Sequence, residues 1–161
     1  MSDSWPESVE RVSAAFLAAG AEARIEEFAD GTPTAEAAAA AVGCDLRRIV
    51  KSLVFDCDGS WVLVLVPGDR RADAQKVARA TSANRARVAG AVQVVAATGY
   101  EPGAVAPVGL TGVQRVLVDQ RIPTEGLVWV GAGSSRHMAG LPASELLRVT
   151  RGELVDVADD T

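Results

Sequence analysis

The sequence predicts an α+β fold: a single domain whose mixed, mostly antiparallel sheet curls toward a barrel, with flanking helices. Three observations carry that expectation. Two β-rich runs, Leu53–Phe55 and Trp61–Val66, are separated by Asp58-Gly59, a pair that tolerates the positive φ a type I′ hairpin turn demands. The second run, WVLVLV, has no polar alternation and reads as a strand covered on both faces. Helix-like segments with caps of their own stand between further short strand-like runs, giving about seven strands in all. At 161 residues the chain suits one domain with a proper hydrophobic core.

The elements follow in order. Residues 5–19 read as an amphipathic helix, with Ser4 as N-cap, Pro6 near the first turn, Val9, Val12, Phe16 and Leu17 on one face, and Gly20 at its end. A strand is expected over Ala23–Phe28, then a turn at Asp30-Gly31-Thr32-Pro33. Thr34 caps an alanine-rich helix closed by Gly43. The hairpin follows, and after Gly68-Asp69 a short helix over Asp73–Thr81 carries Lys76 and Arg79 on one side. Arg85–Val88 reads as a strand and Gly90–Thr98 as a helix, weakly capped because glycine stands where Ser or Asp would be better. The segment Gly99–Gly109 is too rich in Gly and Pro for regular structure. Gln114–Asp119, Leu127–Gly131, Arg136–Leu141 and Glu153–Val157 read as strands, with Pro142 opening a last helix to Thr150.

Composition bounds the function. No apolar run approaches the ~20 residues of a membrane-spanning helix, and no signal-peptide pattern opens the chain, so the expected location is cytoplasmic, with no membrane partner. Cys44 and Cys57 read as free thiols. A single His and no cysteine pair at ligand spacing argue against a metal site. The net charge is −5, but residues 45–90 carry nine Lys/Arg against five Asp/Glu, and the remainder seven against sixteen. An acidic protein with such a basic middle can hold a short stretch of polynucleotide there, but is unsuited to coating a long duplex.

Chemistry centres on Lys51, at the entry of the first hairpin run. A desolvated lysine reaches water, pairs with an anion or shifts its pKa. Lys51 therefore either snorkels at a sheet edge or supplies one compact ammonium to a tight site. Fourteen Arg against only two Lys, Lys51 and Lys76, tilt the choice toward the second reading. Two glycine-bearing segments, Gly99–Gly109 and Gly131–Ser135, are either plain connections or places where backbone N–H groups meet a ligand. His137 is an ordinary strand histidine or a substrate contact. Arg70 and Arg71 form a solvated turn or meet phosphates. Trp61, Trp129 and Cys57 read as packing residues. The sequence holds no P-loop, no GxGxxG and no recognisable nucleophile–base pair.

Four blocks in order, IVKSLVF at 49–55, VLVLVPGDRR at 62–71, TGYEPGAVAPVGL at 98–110 and VWVGAG at 128–133, resemble the YbaK/prolyl-tRNA-synthetase-associated editing family of free-standing aminoacyl-tRNA deacylases. The match runs from Thr34 to Val157. The resemblance implies hydrolysis of a mischarged aminoacyl ester at the 3′ end of a tRNA, with alanine or cysteine on the tRNA for proline as the family's usual substrates. It places the family's lysine on Lys51 and its GxxxP loop on Gly103, Ala104, Val105, Ala106 and Pro107. Gly103 thereby joins Lys51 as a catalytic position, the other four binding substrate. Its small-residue pocket segment falls on Gly131, Ala132 and Gly133, some members carrying a serine where Gly131 stands; His137 joins the substrate contacts and Arg70 and Arg71 the tRNA contacts. Loop N–H groups would stabilise the tetrahedral oxyanion, and Lys51 would bind an anionic group, since an ordinary lysine stays protonated at neutral pH. No metal or organic cofactor is implied. Partners would be the mischarged tRNA 3′ end and an aminoacyl-tRNA synthetase. The alternative is a non-catalytic module binding a tRNA acceptor end or a synthetase.

Overall fold

A computed structural model of the chain describes residues 5–160. Helix α1 spans Glu7–Ala18 and buries Val9, Val12 and Phe16. Its N-cap is Pro6, whose carbonyl accepts from the N–H groups of Val9 and Glu10 at 3.0 Å; the expected cap, Ser4, lies outside the described residues. Leu17 corrects the reading of the apolar face, being 80% exposed. Helix α2, Ala35–Val42, starts where Thr34 Oγ1 accepts from the Ala37 N–H and ends at Gly43, with φ of 73°. Helix α3, Ala74–Thr81, is capped by the Asp73 carboxylate. Helix α4, Ala91–Thr98, starts at Gly90, whose own N–H is taken by Gln93 Oε1 at 2.9 Å. After Pro142 a 3₁₀ turn leads into α5, Leu146–Thr150. None of these helices is long and apolar enough to cross a membrane.

Eight strands form among the described residues: β1 Arg24–Glu27, β2 Val50–Cys57, β3 Ser60–Pro67, β4 Ala86–Val88, β5 Arg115–Asp119, β6 Leu127–Gly131, β7 His137–Pro142 and β8 Glu153–Val155. The β2–β3 hairpin turns at Asp58 (φ 53°) and Gly59 (φ 91°), as expected from that dipeptide. Strand β3 is central in a five-stranded sheet ordered β4-β2-β3-β5-β8, antiparallel to β2 and parallel to β5. Its side chains are covered on both faces: Leu63 and Leu65 enter one core cluster, and Val62, Val64 and Val66 the other.

The expected single sheet, curled toward a barrel, is instead two sheets. Strands β1, β7 and β6 pair antiparallel in a second, three-stranded sheet. One isolated backbone bridge, Ile49 with Trp129, links the sheets among the described residues, and side chains of both share one core cluster. Closure fails because the outer edge of β2 is divided. Its far end, Phe55–Cys57, is taken by β4, and only its entry reaches β6. Between the two lies a stretch of edge with no strand beside it.

Candidate functional site

That open edge forms one wall of a cavity of about 310 Å³. Val50–Leu53 supply the wall, Gly103 and Val105 a second, and Gly131, Ser134, His137 and Met138 a third. The turn Thr32–Thr34 with the start of α2 closes the fourth side.

Lys51 stands on the β2 wall, half-buried. Burial holds its ammonium below the ordinary lysine pKa, and the Arg71 charge adds to that; Glu36, Asp159 and Asp69 pull the other way. No hydrogen bond contributes to its shift. A cation left in this state favours an arriving anion or a developing negative charge, because its desolvation has already been met by the fold.

The segment facing it is irregular but firmly braced. Tyr100, 1% exposed, donates its hydroxyl to the Val108 carbonyl at 2.6 Å, closing the loop across its base. The Arg11 guanidinium lies 4.4 Å from the Tyr100 ring centroid and donates to the Gly99 carbonyl at 2.9 Å. Gly103 sits at the rim with φ of 82°, a left-handed conformation that suits glycine. The Ala104 N–H is spent on the Glu101 carbonyl at 3.0 Å, whereas those of Gly103 and Val105 have no backbone partner among the described residues. A pair of free donors therefore remains on the loop.

The loop is held against the Gly131–Gly133 segment. Gly133 donates to the Ala104 carbonyl at 3.0 Å, and a Cβ on Gly131 would strike the Val105 carbonyl oxygen. Gly133 is itself pinned from behind, its carbonyl accepting from Ser8 Oγ at 2.6 Å. Glycine at 131 is a packing requirement here.

His137 is 3% exposed, and burial lowers its pKa, so the ring is neutral near pH 7. Its Nδ1 lies 2.6 Å from Ser134 Oγ, which accepts from the Arg136 N–H at 3.0 Å. The Ser134 hydroxyl donates to Nδ1 when the ring proton sits on Nε2, and accepts from Nδ1 in the other tautomer. Nε2 is buried without a partner, and the Trp5 ring meets the imidazole edge-on at a centroid distance of 5.9 Å.

The structure thus gathers Lys51, Gly103, Val105, Gly131 and His137 around one space. Ala104, Ala106, Pro107 and Ala132 are buried and, with Gly133, stand behind the lining. Arg70 donates to the Asp159 carbonyl at 2.9 Å, while Arg71 is exposed and close enough to bear on Lys51. The basic middle is partly spoken for: Lys76 is buried against Asp156 and Asp160, and Arg48 holds the Glu125 and Leu127 carbonyls. Sequence reasoning missed Trp5, Ser52 and the α2 wall. Trp5 lies outside every quoted block, Ser52 goes unremarked beside Lys51 in IVKSLVF, and only the tertiary fold brings α2 opposite β2.

The model of the aminoacyl-tRNA editing domain matches residues 29–149. The chain belongs to the aminoacyl-tRNA editing domain family. It is 32% identical to the uncharacterized protein YwhH of Bacillus subtilis (strain 168), over 95% of this chain and 98% of that protein. It is 36% identical to the proline–tRNA ligase of Nitratidesulfovibrio vulgaris (strain DP4) over 65% of this chain, but spans only 18% of that much longer protein. Among solved structures, a protein proposed to be a trans-editing enzyme for prolyl tRNA synthetase superposes with a TM-score of 0.90 at 32% identity, covering 97% of this chain and 99% of its own. In this editing domain the matched region holds every wall of the cavity.

Proposed function

We infer that this editing domain hydrolyses the ester of a mischarged aminoacyl-tRNA in trans, removing a small amino acid from the tRNA for proline. The observation that carries the reading is the half-buried Lys51 ammonium facing a glycine loop with free N–H groups across a small cavity. Attack of water on the ester carbonyl gives a tetrahedral oxyanion, and its collapse expels the ribose hydroxyl. The Gly103 and Val105 N–H groups with the Lys51 charge stabilise that oxyanion, and His137 on the facing wall supplies a substrate contact. Lys51 is an electrostatic partner and not a base. Although burial lowers its pKa, three carboxylates oppose the shift. At about 310 Å³ the cavity lies at the small end for ligand sites and suits a short acyl group.

The whole chain acts as one editing domain. Arg71 beside the cavity is placed to meet a phosphate of the acceptor end, while Arg70 serves to hold the C-terminal tail. Incubation with tRNA for proline charged with alanine, cysteine, serine or proline tests the reading. Release of a small non-cognate residue, with prolyl-tRNA spared, is expected; indifference to all four refutes it.

A further inference from the structure

Helix α1 contributes no residue to the cavity lining, yet it holds both glycine-bearing walls from behind. Ser8 and Arg11 stand three residues apart and so share one face of the helix. Val12, on the same side, enters the core cluster that contains Tyr100, Val105 and Ala132.

Arg11 meets the Gly99–Gly109 loop at both ends. Its Nη2 donates to the Gly99 carbonyl at 2.9 Å, and its guanidinium covers the Tyr100 ring at 4.4 Å from the centroid. A Cβ on Gly99 would strike that guanidinium, and one on Gly109 would press on Arg11 Cγ. Ser8 reaches the middle of the loop through one intermediary. Its Oγ donates to the Gly133 carbonyl at 2.6 Å, and the Gly133 N–H donates to the Ala104 carbonyl at 3.0 Å. Ala104 stands between Gly103 and Val105, which carry the two free N–H groups. One helix thus ties the loop at its base and at its centre. Arg11 Nε is meanwhile buried without a partner among the described residues, a desolvation cost that an apolar side chain would avoid.

We propose that Arg11 and Ser8 are positioning residues for ester hydrolysis, setting the loop so that the Gly103 and Val105 N–H groups meet the oxyanion. The proposal rests on the hydrolase reading above. Neither side chain lines the cavity, so both act through the loop and not on the substrate. Oxyanion donors work in the transition state, and misplacing a reacting geometry by about 1 Å can cost about a hundredfold in rate. Such a loss falls on kcat and spares KM, because ground-state binding does not use these donors.

The test takes the alanyl ester of adenosine as a minimal substrate for the full chain. Arg11→Met keeps an unbranched apolar stem and removes the guanidinium. It should lower kcat by about tenfold or more and leave KM within about twofold. Arg11→Lys, whose ammonium can still serve the Gly99 carbonyl and the Tyr100 ring, should recover part of that loss. Ser8→Ala, which removes a single hydroxyl, should give the same split on a smaller scale. Phe16→Leu is the control: it loosens α1 in the core and should lower Tm, with kcat unchanged well below the melting transition. Unchanged kcat in both Arg11→Met and Ser8→Ala overturns the proposal, as does an equal loss of kcat in Phe16→Leu.

Hydrogen exchange at the Ala104 and Gly133 amides gives a readout independent of hydrolysis. Both should exchange faster in Arg11→Met than in the wild type, with the amides of β3 unchanged. That pattern without turnover of the ester by the wild type would remove the hydrolase reading and keep the brace. Unchanged exchange at both amides overturns the brace, even where hydrolysis is intact.

Discussion

Gly131 lies so close to the Val105 carbonyl that a Cβ on it would strike that oxygen. The contact fixes how closely the Gly103–Pro107 loop packs on β6, where both line the cavity. Gly131→Ala should therefore displace the loop, at a stability cost of about 1–3 kcal/mol from overpacking. A displacement of this kind in a positioned site should lower ester hydrolysis by roughly tenfold or more. Thermal melting together with a minimal-ester assay checks both effects. A lowered Tm with undiminished turnover would show that the loop takes no part in the reaction.

Lys51 separates stability from function. Its charge is disfavoured by burial and pairs with no carboxylate through a hydrogen bond. Lys51→Met should keep or raise Tm while reducing turnover roughly a hundredfold or more. Lys51→Arg should also be poor, because the planar head cannot occupy the position of a compact ammonium. Full activity in the Arg form would indicate a peripheral charge.

His137 gives a pH signature. Its pKa in the folded protein lies below the ordinary value of 6.5, chiefly through burial. The unfolded chain thus takes up this proton more readily than the folded one. Its contribution to stability is complete above 6.5 and is lost as pH falls from there through the lower folded-state value. His137→Gln should flatten the decline of Tm between about pH 7 and about pH 5. Parallel Tm–pH curves for the two proteins would contradict the assignment.

Asp119, fully buried, anchors the C-terminal segment. Its Oδ1 accepts from the N–H groups of Val157 and Ala158, both at 2.9 Å, and its Oδ2 from that of Arg121 at 3.0 Å. Asp119→Ala strands those donors and leaves Arg121 without one of its carboxylates, so a loss of about 3 kcal/mol is expected in denaturant unfolding. The tail it holds also carries Asp159, which acts on Lys51. A change within error would mean that the tail is held by the Lys76 and Arg121 ion pairs alone.

Local chemistry made much of the fold legible. Asp58-Gly59 announced its hairpin, Thr34 and Gly43 bounded α2, and WVLVLV proved to be the doubly covered strand β3. The division into two sheets was not legible, because it depends on which strand claims each part of the β2 edge. For the site, Lys51 and the glycine segments stood out by residue type and by family resemblance. Their convergence on one cavity did not, since it requires long-range packing. Tyr100 shows the limit well: it stands in a quoted block, yet nothing in the block says that its hydroxyl braces the loop through a bond eight residues away. The basic middle misled in part, because charge counted along the chain ignores partners such as Asp156 and Asp160, far away in sequence.

The central claim is that this editing domain turns over a mischarged tRNA and does not merely hold it. Alanyl-tRNA for proline in large excess over protein, followed in time beside a Lys51→Ala control, tests this most directly. The account predicts many acyl groups released per wild-type molecule and almost none from the control, with both proteins folded by circular dichroism. Stoichiometric retention of intact alanyl-tRNA by the wild type, with no release beyond the uncatalysed rate, would contradict it.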